Sequence, residues 1–127
     1  MDDLAGRDNK TIGERGEEIA CAYLKGQKFT IVERNFRCKG GELDIIARDG
    51  KTLVFVEVKA RRTLSFGPPQ LAVTPFKQRQ ISKAALTWLA RKKRFGASAR
   101  FDVVAILLPD HAVPVIDHIR NAFDLAY

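Results

Sequence analysis

Two short runs hold the residues best suited to chemistry in this chain of 127 residues. Glu42-Leu43-Asp44 precedes Glu57-Val58-Lys59, and Asp49-Gly50 lies between them. Acids and a lysine at alternate positions of two neighbouring strands project onto one face of a sheet. With Asp49-Gly50 as a two-residue hairpin turn, Arg48 pairs with Lys51 and Ala47 with Thr52. That register sets Asp44 opposite Phe55 and Glu42 opposite Glu57. Asp44 and Glu57 become diagonal neighbours, about 7–8 Å apart at the backbone. Glu42, Asp44, Phe55, Glu57 and Lys59 then share one face, while Leu43, Ile45, Ala47, Val54, Val56 and Val58 share the other. Two carboxylates so placed can converge on one hard cation such as Mg²⁺. Such a cation polarises a phosphodiester and lowers the pKa of a bound water. Lys59 could orient or deprotonate that water, or neutralise charge developing on phosphorus. The plainer alternative is a solvated strand end with a Glu57–Lys59 surface pair. Against it stands Glu42 opposite Glu57, a like-charge pair that is destabilising unless something positive sits between them.

Several elements must position these groups. Thr11-Ile12-Gly13-Glu14 has the form of a capping box, and Ile12, Gly16, Ile19, Ala20, Tyr23 and Leu24 recur at helical spacing up to Gly26. In that helical phase Glu18 points away from the apolar stripe. Glu17 sits on the stripe's flank, turned toward the core and within reach of the acid pair. Strands are predicted over 29–36, 43–48 and 52–59. A basic loop, 60–74, leads to a second helix with Thr74 as N-cap and Pro75 in its first turn. A strand over 101–108 follows, then an edge strand over 113–119 interrupted by Pro114, and a final helical turn over 120–125. The order α-β-β-β-α-β-β predicts an α/β fold, a mixed central sheet flanked by helices. Residues 1–10 read as a flexible tail and 11–127 as a single domain.

Charge narrows the range of partners. Lys and Arg number 22 against 15 Asp and Glu, a net +7. From Val58 to Phe101 there are 11 cations and no acid. A polyanion, nucleic acid first, is the partner this implies. Arg61, Arg62 and Lys77 lie nearest the Glu57–Lys59 end and are the phosphate-contact candidates. Phe66 in the basic loop is an aromatic that could stack on a base. Cys21 and Cys38 have no partner at metal-ligand spacing and read as free thiols. His111 and His118, seven apart, fall on opposite faces of a strand and do not share a metal. The longest apolar run, 103–108, is too short to span a bilayer, and the N-terminus lacks a signal-peptide pattern, so a cytoplasmic protein is expected.

At Gly41-Glu42-Leu43-Asp44 and Val56-Glu57-Val58-Lys59 the sequence resembles the restriction-endonuclease-like nucleases. Their signature is an acid, a spacer, then Asp/Glu-x-Lys on the next strand. It is closer still to the bacterial YraN family of predicted endonuclease-like proteins, from about Ile12 to Phe123. Gly16-Glu17, Arg34-Asn35, residues 41–47, residues 53–61, Ala72-Val73, residues 100–104 and Asn121-Ala122-Phe123 carry that resemblance. The family is similar in layout to archaeal Holliday junction resolvases, which are Mg²⁺-dependent dimers. The resemblance implies a restriction-endonuclease-like αβββαβ core. It implies Glu17, Asp44, Glu57 and Lys59 as the catalytic set, with Asp44, Glu57 and the Val58 carbonyl holding Mg²⁺ or Mn²⁺. The implied activity is endonucleolytic cleavage of DNA, with branched or junction DNA among the substrates, by a homodimer. RNA stays open as a substrate. A nucleic-acid-binding protein of the same fold that no longer cuts stays open as the alternative.

Overall fold

The computed structural model describes residues 10–63, 67 and 73–126. Most of the expected tail, and Phe66 and Ala72 of the basic loop, lie outside the described residues. Helix α1 spans Ile12–Gly26 and is followed by strands β1 (Thr30–Cys38), β2 (Gly41–Asp49) and β3 (Thr52–Arg61). Helix α2 (Pro75–Arg91), β4 (Ala99–Leu107) and β5 (Val115–Phe123) complete the elements among the described residues. The five strands form one sheet in chain order. All neighbours are antiparallel except β3 and β4, which α2 connects in parallel. This is the expected αβββαβ order with one further strand.

Both helices start as their sequences dictate. Thr11 accepts the Glu14 N–H while the Glu14 carboxylate accepts the Thr11 N–H, a complete capping box. Thr74 caps α2 by accepting the Lys77 N–H, and Pro75 occupies the first turn. Each helix covers one face of the sheet. Ala20, Cys21 and Leu24 of α1 pack with Ile45, Ala47, Val54, Val56, Val104 and Ile106. Ile81, Ala84, Ala85, Trp88 and Leu89 of α2 pack with Leu43, Ile46, Leu53, Phe55, Phe101 and Val103. Because both faces are buried, the central strands are apolar on both sides. Cys21 and Cys38 are free, as expected. Among the described residues no helix is long and apolar enough to cross a membrane.

Three expectations are corrected. The hairpin turn is Gly50-Lys51, not Asp49-Gly50: Asp49 pairs with Thr52, and Gly50, at φ 61°, takes the first central position that a glycine-led hairpin turn favours. Asp49 is held in the sheet because its carboxylate accepts from Arg100 (3.1 Å) and Arg120 (3.3 Å). The register therefore shifts by two, an even step that by itself turns no side chain to the other face. Second, Pro114 precedes the last strand and does not interrupt it. Third, residues 120–123 continue β5 and form no helical turn.

Both helices approach the sheet through glycine. A Cβ on Gly16 would lie 2.6 Å from the Ala60 Cβ, and one on Gly41 only 2.2 Å from the Gln80 carbonyl oxygen. Gly41 meets helix backbone, which cannot swing aside. Gly41→Ala is expected to cost about 1–3 kcal/mol through overpacking and to lower the thermal midpoint by several degrees. Gly13→Ala, whose new methyl meets only ordinary contact with Thr11, is expected to raise it, since alanine is the better helix former. Parallel thermal melts of the two variants check both signs.

Candidate active site at the end of the sheet

The two acids singled out by spacing meet where β2 and β3 part. The β2–β3 ladder runs from Asp49 with Thr52 to Ile45 with Val56 and stops there. One step further, Asp44 and Glu57 are level with each other, not diagonal, and Glu42 pairs with Arg37 (3.2 Å) instead of facing Glu57. Asp44 Oδ2 accepts the Val58 N–H at 2.8 Å, so a side chain takes the place of the next ladder bond. Glu57 is only 4% exposed. The Lys59 ammonium is 3.5 Å from Glu57 Oε2, and the Lys77 ammonium of α2 is 3.8 Å from the same oxygen.

Burial, first of all, pushes the Glu57 pKa up to about 8. The Asp44 charge adds to that rise, as does the hydrogen bond between the two carboxyls. Lys77 and Lys59 pull the other way without prevailing. A carboxyl poised near neutrality in a low-dielectric corner, with a carboxylate and two ammonium groups around it, can hold or pass a proton at working pH.

A local reversal of strand alternation creates this corner. Asn35 has φ 55°, in the left-handed region that asparagine tolerates better than other side chains. The residues on either side of it point to opposite faces of the sheet. Arg34 reaches Glu17 on the α1 side (3.3 Å), and Phe36 enters the α2-side core. In the facing strand Leu43 likewise packs with α2 and Ile45 with α1. This corrects the expected strict alternation, which put Leu43 beside Ile45. Asp44 sits between them and is thereby freed to turn toward β3.

The other predicted site residues do not join this pair. Glu17 is turned toward the sheet, 15% exposed, and bound by Arg34. Glu18 faces solvent, where it pairs with Lys10. Gly16, pressed on Ala60, brings Glu17 to the same end of the sheet. Arg61 donates to the Ala60 carbonyl (3.0 Å), and Arg62 to Asp110 (3.3 Å) on the β4–β5 connection. Arg61 is the last residue of β3 and Arg62 the next in the chain. Among the described residues no three His, Cys, Asp or Glu side chains gather into a group able to hold a metal ion. Asp44 and Glu57 are a two-carboxylate set, and Glu17 stands apart from them with its arginine.

Sequence spacing missed two arrangements. Lys77 reads as a phosphate contact, yet it lies against Glu57, a meeting that depends on α2 crossing over the sheet. The second is a buried network on the α1 side. Asp102, fully buried, accepts from Arg100 Nε (2.9 Å), His118 Nε2 (2.8 Å) and the Asn121 N–H (3.0 Å). With Nε2 donating to the carboxylate, Nδ1 of His118 is left to accept the Tyr23 hydroxyl at 3.1 Å. Arg100 and Arg120 flank Phe29 at 5.8 Å and 5.3 Å from the ring centroid. The signal was an acid in the middle of an otherwise apolar strand run, Phe101-Asp102-Val103-Val104.

A mixed five-stranded sheet with one helix on each face defines a small α/β protein built on an αβββαβ-type core. A model of the uncharacterised protein family UPF0102 matches residues 16–106, and the chain belongs to that family, the YraN family of the sequence resemblance. The UPF0102 protein of Geotalea daltonii is 75% identical over 120 residues, covering 94% of each chain. That of Geobacter sulfurreducens is 65% identical over 119 residues, covering 94% of this chain and 93% of the relative. That of Nocardia farcinica is 47% identical over 116 residues, covering 91% of each.

Proposed function

We propose that the chain is a divalent-metal-dependent nuclease that hydrolyses phosphodiester bonds in nucleic acid, DNA foremost and branched DNA among its forms. The observation that carries this reading is the Asp44–Glu57 pair, a buried Glu57 carboxyl with Lys59 against it and Asp44 fixed beside it by the Val58 N–H. Its chemistry fits a hard cation: Mg²⁺ takes one or two carboxylates and keeps several waters. A divalent charge would also offset the burial cost and the Asp44 repulsion that together raise the Glu57 pKa. Asp44 and Glu57, with the Val58 carbonyl between Glu57 and Lys59, would hold Mg²⁺ or Mn²⁺. When bound, the ion supplies Lewis-acid polarisation of the phosphodiester and a more acidic water.

The chain's own groups do the rest. Lys59 presents an ammonium beside Glu57, where it orients the attacking water or neutralises charge on the phosphorus. Glu57, ionised when a cation is bound, keeps the Lys59 ammonium beside the attacking water. Glu17 completes the set from α1 when Arg34 releases it. Lys77 moves from Glu57 to a substrate phosphate, and Arg61 and Arg62 hold the strand beyond the cut. A second copy of the chain would be needed to cut two strands of a junction symmetrically.

A second reading has its own support. Lys77 already places a positive charge 3.8 Å from Glu57, as an ion would. A protein that binds nucleic acid without cutting needs no more than that. A cleavage assay separates the two, with Mg²⁺ or Mn²⁺ and with linear, flapped, single-stranded and four-way-junction substrates. Asp44→Ala, Glu57→Ala and Lys59→Ala are each expected to lower cutting by at least about 10²-fold. Equal cutting by all three variants would remove the proposal. Salt-sensitive binding without cutting by the wild type would establish the second reading.

A further inference from the structure

The site explains one face of α2 but not the other. Its 17 residues contain no acid. Phe76, Arg79 and Lys83 recur at three- and four-residue intervals and are exposed, forming one stripe along the outer side of the helix, and Arg91 follows at its end with its guanidinium 5.4 Å from the Phe36 ring centroid. The stripe begins beside the acid pair, because Lys77, next to Phe76, touches Glu57. It ends in Lys92-Lys93-Arg94. Phe76 is 61% exposed, and the Arg79 guanidinium lies 6.0 Å from its ring centroid. The Lys83 stem runs close to Gly40 of the β1–β2 turn, which also carries Lys39. Between that turn and the helix lies a cleft lined by Arg37, Cys38, Gly41, Glu42, Lys77 and Gln80.

We propose that this outer side of α2 is the track for a single-stranded segment of nucleic acid, with Phe76 stacking on an unpaired base beside the acid pair. The inference rests on the proposed nuclease reading and specifies its substrate: a strand with unpaired bases next to the cut. A cationic stripe alone would suit any polyanion. The exposed ring selects among polyanions, because it gains a stacking partner from the face of a base and little from a polyanion without one. In a duplex the base faces are hidden by stacking; in a single strand each base offers one. From Phe76 to Arg91 the helix rises about 22 Å, room for a few successive phosphates of an extended strand. The stacked base would lie at the mouth of the cleft, and the phosphate next to it within reach of Lys77.

The test measures binding in EDTA, so that no cutting intervenes, using a single-stranded oligonucleotide, its duplex and heparin as probes. Phe76→Ala is expected to weaken single-strand binding about 5- to 150-fold, the range for loss of one base–aromatic stack, and to leave duplex binding within two-fold. Both Phe76 and the charges lie on an exposed helix face, so the variants keep the fold. Arg79→Gln with Lys83→Gln is expected to flatten the salt dependence of single-strand binding by about 1.4 in log–log slope. Equal loss on single strand and duplex, or no loss on either, overturns the track. Heparin binding as tight as the single strand, and insensitive to Phe76→Ala, also overturns it. If the wild type binds no nucleic acid, the nuclease reading falls with it. If duplex is bound and cut normally by Phe76→Ala, only the track falls.

Discussion

Asp102→Asn is expected to cost about 3–5 kcal/mol, the range for removing one partner from a buried ionic cluster. In a chain of this size that lowers the thermal midpoint by about 10–20 °C. The carboxylate is fully buried and accepts from Arg100, His118 and the Asn121 backbone. An amide in its place offers one acceptor and turns two donors toward groups that already donate. The Arg100 charge, 21% exposed, then loses its nearest partner. Burial on its own would raise the Asp102 pKa, yet the bonds from His118, Arg100 and Asn121 outweigh it and hold the pKa below the usual 3.8. A depressed acid contributes stability above its unfolded pKa and loses it as pH falls through the folded one. The wild type should therefore lose stability steeply below about pH 4, and Asp102→Asn should show a shallower acid limb. Melts across pH 2–7 check both. Cutting per folded molecule should be unchanged, because the cluster lies on the α1 face, away from Glu57. A variant as stable as wild type would mean that the network contributes nothing net.

Glu57→Gln is expected to change stability and activity in opposite directions. Burial and the Asp44 charge raise the Glu57 pKa from 4.5 to about 8 in the fold. A raised acid contributes stability that is complete below about pH 4.5 and lost as pH rises through about 8. In EDTA, the wild-type midpoint should fall between pH 5 and pH 9, while that of Glu57→Gln stays nearly flat. At pH 9 the variant should melt about 5 °C or more above the wild type, with its cutting abolished. Lys59 and Lys77 lose a partner in the variant, which subtracts from the gain. Burial and Asp44 outweigh them, and the sign follows from that. Parallel pH curves for the two proteins would show that Glu57 is ionised throughout. Groups kept for chemistry against the preference of the fold commonly behave in this way.

Local chemistry made much of the fold legible. Thr11 with Glu14 and Thr74 with Pro75 fixed the helix starts, because a cap is a contact within four residues. Helical phase separated Glu17 from Glu18 correctly. The Asp44–Glu57 pairing was legible as to face but wrong by two in register. Asp-Gly is a strong turn signal, and what outweighed it was distant: Arg100 and Arg120 hold Asp49 in the sheet. The last strand was misread for a related reason. Arg120 and Asn121 look too polar for a strand, but Asn121 bonds to Asp102 and Arg120 to Asp49. Lys77 beside Glu57 could not be read from spacing at all, since only the crossover of α2 brings them together. The reversal at Asn35 leaves no trace in periodicity beyond the residue type itself.

The sheet lists its strands in chain order, and that bears on how the molecule assembles. Three of its four strand pairings are antiparallel neighbours joined directly, and only β3 with β4 waits for a helix to cross over. The antiparallel contacts are local and their loop-closure entropy is small, whereas β3 and β4 pair residues 46 apart in the chain, so that closure is the slow one. Asp44 and Glu57 belong to the β2–β3 hairpin and come together early. Lys77 arrives only with the slow parallel closure. During the interval the acid pair stands without its lysine from α2, and refolding that is slower at high pH than at low pH would be the kinetic trace of that order of events.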